Sequence, residues 1–177
     1  PQMNNERSWC GANCSIQDSC GRRGTITFAK DGKFVAVFRW DRSDRCPWRT
    51  DQPYDIDVFF KGCPPELRAL ADTECLRYVL DEHDGKVFPV ISCAFWGDGQ
   101  AKQVQAAEAW ENILEHGANI AAVDFLEDKQ AYPEYAEYFG LEEPQLELAK
   151  QIHQRKLAAG ARALKLTKSD VALIQAI

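Results

Sequence analysis

The sequence predicts an α+β fold: a mostly antiparallel sheet with an N-terminal cysteine-rich loop, and helices predominating in the C-terminal half. Three observations carry this expectation. In TITFAKDGKFVAVFRW, Asp31-Gly32 separates two β-rich runs and supplies the positive backbone angles of a tight hairpin turn. Beyond Pro64, apolar residues recur near helical spacing behind Pro-marked starts. With 177 residues, 45% of them hydrophobic, the chain is long enough to bury a core without covalent help.

Taken in order, RSWCGANCSIQDSCGRRG reads as an irregular, glycine-punctuated segment crowded with cysteines. Residues 25–30 and 33–40 are expected to pair as the hairpin, and DRSDRCPWRTDQP follows as a charged loop. YDIDVFF (54–60) reads as a third strand with Ile56 and Val58 on one face. Pro64-Pro65 opens a helix through about Leu80. VFPVISCAFW (87–96) is expected to be a buried strand, with Pro89 marking an edge or a bulge.

Gly97-Asp98-Gly99 then turns the chain into a helix over 101–116, closed by Gly117. NIAAVDFL (119–126) fits a short strand or a helical turn equally well. Pro133 begins a short helix that Gly140 stops, and Pro144 begins a longer one through about Ala159. Thr167 is placed as an N-cap with Asp170 three residues on, and Leu166 and Val171 as a hydrophobic staple. The expected division is an α+β core over 1–142 and a basic helical tail over 143–177, packed on the core or on a partner.

Charge is segregated along the chain. Residues 1–63 hold ten Lys and Arg against eight Asp and Glu, 64–149 hold five against eighteen, and 150–177 hold six against one. Basic ends around an acidic middle predict packing of the tail on the middle, within one chain or between copies, ahead of nucleic-acid binding. No run of about 18 apolar residues suggests a membrane span. PQMNNERSW lacks the apolar core of a signal peptide, and the count of seven cysteines is odd, so an intracellular, cytoplasmic protein with metal ligands and buried thiols is expected.

Cys10, Cys14 and Cys20 fall close together, and Cys46 follows in an arginine-rich loop. Four thiolates close a tetrahedral site around zinc, and nearby Arg22, Arg23, Arg42 and Arg45 would offset their charge. These four cysteines are the candidate metal ligands, with zinc ahead of an iron-sulfur cluster because no CxxC step is present. WCGANC (9–14) resembles the WCxxC redox motif of the thioredoxin family, but carries one inserted residue and no preceding strand, so that chemistry is not expected.

FRWDRSDRCPWRT interleaves arginine with aromatic rings, a composition that builds hot spots at protein interfaces and stacking surfaces for bases. Arg39, Trp40, Arg45, Trp48 and Arg49 are the candidate binding residues, with a protein partner or a second copy favoured over nucleic acid because Asp41, Asp44 and Asp51 lie in the same stretch. The expected role is therefore a non-catalytic binding or accessory subunit, with Trp40 and Trp48 as anchors.

The enzyme alternative rests on acidic residues. Asp55 and Asp57 alternate on the predicted strand, and Asp84-Gly85-Lys86 precedes another. This arrangement resembles the metal-binding core of PD-(D/E)xK nucleases, and the resemblance implies a metal-dependent nuclease with Asp55, Asp57 and Asp84 as oxygen ligands and Lys86 steadying the attacking water. ARALKLTKSDVALIQAI resembles the LTxxxVxxI opening of helix-turn-helix segments in some phage endonucleases and repressors, on Leu166, Thr167, Val171 and Ile174. DNA reading would need a recognition helix after it, so the expectation is an amphipathic helix docking Val171, Leu173, Ile174 and Ile177.

Overall fold

The computed structural model describes residues 6–159 and 163–175, the side chains of Leu173 and Gln175 excepted, and the fold is α+β. The chain forms two compact units that divide between Ala122 and Val123. The boundary expected at residue 142 lies inside the second unit, between two helices.

The first unit is built on a six-stranded antiparallel sheet. Its strands are β1 (Glu6–Cys10), β2 (Asn13–Gln17), β3 (Arg22–Phe28), β4 (Lys33–Trp40), β7 (Cys93–Asp98) and β8 (Gln103–Ala106), in the spatial order β1-β2-β3-β4-β7-β8. A separate two-stranded ribbon holds β5 (Leu80–His83) and β6 (Lys86–Pro89). The expected hairpin is β3–β4, with Thr25 opposite Val37 and Phe28 opposite Phe34. The cysteine-rich segment is not irregular: β1 and β2 form a second hairpin closed by Gly11 and Ala12, with Gly11 at φ 60, the position that takes Gly in a two-residue II′ turn.

Register assigns the two faces. Asn13, Thr27, Val35 and Trp96 share one row, and the alternate row holds Cys14, Ile26, Ala36 and Phe95. On the first face Val35, Val37, Ala94 and Trp96 pack with Phe59, Phe60, Leu67, Ala71, Cys75, Leu76, Val79 and Ile91 in one buried cluster. Phe59 and Phe60 come from the 3-10 helix Ile56–Phe60, Leu67 and Ala71 from α1 (Pro65–Thr73), Cys75 and Leu76 from the 3-10 helix Cys75–Tyr78, Val79 from just after it, and Ile91 from the link between β6 and β7. On the second face Phe95 stacks on Phe38 at 5.8 Å and meets the Trp110 ring edge-on at 5.2 Å. Trp110 opens α2 (Trp110–Glu115), and Ile113, Ala118, Ile120 and Ala121 are buried with it.

Four elements differ from the sequence expectation. YDIDVFF is not a strand: Asp55 caps a 3-10 helix by accepting from the Asp57 N–H at 2.9 Å, and the adjacent Phe59 and Phe60 are both buried, which strand alternation forbids on a one-sided sheet. The run 87–96 is split, since β6 ends at Pro89 and β7 begins at Cys93 in the other sheet. The helix expected over 101–116 begins only at Trp110, because β7 continues to Asp98 and β8 occupies Gln103–Ala106. The helix expected from Pro64-Pro65 through about Leu80 stops at Thr73, and a 3-10 helix at Cys75–Tyr78 and strand β5 from Leu80 follow; the run 119–126, left open between a strand and a helical turn, lies in a 3-10 helix, Ala118–Phe125.

The second unit carries α3 (Asp128–Phe139), α4 (Glu143–Ala159) and α5 (Lys168–Gln175). Pro133 lies inside α3 rather than at its start. Gly140 ends α3 in the left-handed region at φ 62, and the Leu141 N–H returns to the Ala136 carbonyl at 2.9 Å. The capping box is present: the Thr167 hydroxyl accepts from the Asp170 N–H at 3.1 Å, and Asp170 Oδ2 accepts from the Thr167 N–H at 2.7 Å. Asp170 is also held by both terminal nitrogens of Arg155, at 3.2 and 2.8 Å. Val171 and Ile174 are exposed, and Ile177 lies outside the described residues. Among the described residues no helix is long and apolar enough to cross a membrane.

Candidate functional site

The five predicted binding residues do gather near the end of β4, but they bind one another and nearby acids. Arg39 is 1% exposed, ion-paired with Asp81, and its Nε lies 2.8 Å from Asp41 Oδ1, out of line for a hydrogen bond. Its guanidinium stacks 5.2 Å over Trp48, whose indole N–H donates to the Asp41 carbonyl at 3.0 Å. Arg49 Nε donates to the same carbonyl at 3.3 Å, and Arg22 covers the Trp40 ring at 4.8 Å. Arg45 grips Glu108 with two bonds of 2.5 and 2.6 Å and donates to the Ser92 carbonyl at 3.1 Å. Burial pushes the Asp81 and Glu108 carboxyls up, yet hydrogen bonds and arginine charge outweigh it and both lie below the usual range. Trp40 and Trp48 are therefore fasteners of the 41–53 loop, not protruding anchors.

Beside that loop a polar cleft of about 530 Å³ is lined by Asp44, Arg45, Tyr54, Asp55, Glu108 and His116, among others. Burial and the Arg45 charge hold the His116 imidazole below its ordinary pKa, so it is neutral at pH 7. Its Nδ1 lies 2.9 Å from the Ser43 hydroxyl, which also accepts from the Arg45 N–H, but Ser43 is 2% exposed and cannot meet a substrate. Tyr54 OH donates to the Ile91 carbonyl and accepts from the Ile91 N–H, and burial pushes its pKa up to about 12. The polar groups of the cleft thus fix the loop.

The nuclease constellation is not assembled. Asp55 is the cap already described, and Asp57 pairs with Arg68 at 2.7 Å. Asp84 and Gly85, at φ 51 and 72, are the two-residue turn of the β5–β6 ribbon, where Lys86 opposes His83. Among the described residues no three His, Cys, Asp or Glu side chains are grouped to hold a metal ion.

The four thiols read as zinc ligands are not gathered at one point among the described residues. Cys10 pairs with Asn13 and Trp9 with Cys14, so Cys10 and Cys14 point to opposite faces of the hairpin. Cys20 sits in the β2–β3 turn, its N–H bonded to Asp18 Oδ1 at 2.8 Å. Cys46 is fully buried, donates to the Trp40 carbonyl at 3.2 Å, and burial pushes its pKa up to about 12. Burial raises Cys75 and Cys93 to the same value. Titration of the native protein with a thiol reagent is expected to modify exposed Cys10 first, and Cys14, Cys46, Cys75 and Cys93 only on unfolding. Rapid modification of Cys46 in the folded chain would contradict this placement.

What the sequence reading missed lies on the first hairpin. Trp9 is 66% exposed and stacks on Phe28 at 5.9 Å, and Phe28 leans on Phe34 at 6.1 Å. Next to Phe28, a mainly apolar groove of about 800 Å³ runs between the two hairpin turns and α1, lined by Ala12, Thr27, Leu67, Leu70 and Tyr78 and rimmed by Lys30, Lys33, Glu66 and Glu74. Asn13 braces its floor, donating to Tyr78 OH at 3.3 Å and accepting from the Thr27 hydroxyl at 2.6 Å. The available signal was Gly11-Ala12 between two short alternating runs, which marks a hairpin and puts Trp9 on its outer strand. No family model matches the chain, and neither a curated protein nor a solved structure matches it.

Proposed function

We propose that this protein is a non-catalytic binding module, an accessory subunit whose contact surface is centred on Trp9 and Phe28, on the face of the sheet opposite α1. The observation that carries the reading is the 66% exposure of Trp9, stacked on the part-exposed Phe28. Paired exposed aromatic rings with a polar rim are the usual energetic centre of a protein interface. The surface that the arginine-tryptophan stretch offered is already used internally, so the partner contact moves from Trp48 to Trp9.

Nucleic acid is the weaker reading. Arg22, Arg39, Arg45 and Arg68 face Asp18, Asp81, Glu108 and Asp72, which leaves their charge internally neutralised rather than directed at phosphate. The test is affinity capture of the tagged chain from its native cells, wild type beside Trp9→Ser and Trp48→Phe. Wild type and Trp48→Phe are expected to retain a stoichiometric protein, and Trp9→Ser to lose at least about tenfold of it, the size of a hot-spot truncation. Equal recovery by all three would overturn the assignment of the surface.

A further inference from the structure

We infer that β8 pairs antiparallel with β8 of a second copy about a two-fold axis through Gln105, joining two six-stranded sheets into one. β8 ends the sheet on the side away from the first hairpin. The alternation of backbone bonds fixes which of its residues look outward. The Ala29 N–H donates to the Lys33 carbonyl at the β3–β4 turn, so Lys33, Val35 and Val37 direct their backbone groups to β3 while Phe34, Ala36 and Phe38 direct theirs to β7. The Gly99 N–H extends the second of these ladders to the Gly32 carbonyl. Carried across β7, the same alternation bonds Trp96 to Gln105 and Asp98 to Gln103, and turns the N–H and C=O groups of Val104 and Ala106 to the outer edge. Among the described residues those outward groups have no hydrogen-bond partner, and Val104 is 43% exposed.

The chain itself sets both ends of β8. Lys102 stands before it at φ 51, outside the extended region, and after Ala106 the chain turns to the Ala109 cap of α2. A two-fold at Gln105 is therefore the register that uses every outward group. Val104 of each copy exchanges two backbone bonds with Ala106 of the other, whereas a two-fold at Val104 or at Ala106 would use one residue per copy. Opposed residues share a face, so exposed Val104 is laid against the small Ala106 side chain. Gln105 meets Gln105, and an amide that both donates and accepts is complementary to itself. The strand Gln103–Ala106 carries none of the charge or proline that blunts an edge. Just beyond the ladder, Lys102 of one copy falls at the end where Glu108 of the other follows, so no like charges meet. The contact is isologous and closes at two copies. Phe28 and Val104 lie in one row across the sheet, through Phe34 and Gly97, so both Trp9–Phe28 pairs face the same side of the joined sheet. A four-residue strand from each copy buries less than the roughly 1,200 Å² of stable complexes, so the dimer exchanges with monomer as concentration changes.

The test combines sedimentation with disulfide trapping on the whole chain. The Gln105–Gln105 pair is non-hydrogen-bonded, with Cα atoms about 4.5 Å apart, inside the range a disulfide spans. In a Cys10→Ser background, which removes the exposed thiol, Gln105→Cys is expected to give a covalent dimer on mild oxidation. Gln103→Cys, which this register sets apart from its own copy, stays uncrosslinked. Val104→Pro removes an edge-facing N–H from each copy without touching the bonds of Gln103 and Gln105 to β7, and is expected to raise the dimer dissociation constant about tenfold. Trp9→Ser, on the strand at the opposite end of the sheet, is expected to leave that constant unchanged. Sedimentation as a monomer at every soluble concentration, species larger than a dimer, equal crosslinking of both cysteine variants, or equal weakening by Val104→Pro and Trp9→Ser would each overturn the pairing. A monomeric wild type strikes the pairing alone, because capture through Trp9 reads a different surface.

Discussion

Phe95→Ala is expected to destabilise the first unit by about 3–5 kcal/mol, the cost of deleting a buried phenyl ring and leaving its cavity. Phe95 is fully buried at the centre of β7, parallel to Phe38 at an interplanar angle of 3° and edge-on to Phe34 and Trp110. Three rings lose their contact at once, and the hydrogen-bonded strands on both sides of β7 prevent the backbone from closing the gap. Phe95→Leu, which keeps most of the volume, is expected to cost about 1–2 kcal/mol. Urea unfolding followed by tryptophan fluorescence measures both, and a loss below about 1 kcal/mol for the alanine variant would place Phe95 outside the core.

Arg39→Ala is the second large effect. The guanidinium is 1% exposed and meets two carboxylates and an indole, so its loss leaves two acids without their cation and Trp48 without its lid. Breaking a fully buried pair costs about 3–5 kcal/mol, but Asp41 and Asp81 are 37% and 34% exposed at the side chain and regain water, so about 2–3 kcal/mol is expected. The pH dependence follows from the lowered Asp81 carboxyl. Its stabilising contribution is present above the unfolded-state carboxyl pKa and is lost as pH falls through the depressed folded value. Wild type should therefore lose stability below about pH 4 more steeply than Arg39→Ala does. Parallel acid profiles would contradict the ion pair.

Local signals were legible and long-range ones were not. The β3–β4 hairpin followed from Asp31-Gly32, the α3 stop from Gly140, and the α5 start from Thr167 and Asp170, all devices acting within four residues. β8 was illegible because QVQA is short and exposed along Gln103–Gln105, so no hydrophobic alternation announces it. Sequence proximity did place Arg39, Trp40, Arg45, Trp48 and Arg49 together. It could not reveal that Asp81 lies 42 residues from Arg39 and Glu108 lies 63 residues from Arg45, and those acids convert an apparent binding surface into an internal brace. The placement of the cysteines was hidden for a related reason. Spacing suggested a cluster, but pleat alternation sends Cys10 and Cys14 to opposite faces, and burial keeps Cys46 protonated.

The most direct test of the Trp9 surface is hydroxyl-radical footprinting of the chain in fresh native extract against the purified chain at high dilution, read at each of the five tryptophans. The account predicts strong protection of Trp9 in the extract and unchanged, low reactivity at Trp96, which is 2% exposed. Equal oxidation of Trp9 in both samples, with new protection at Trp40 or Trp48 instead, would contradict it.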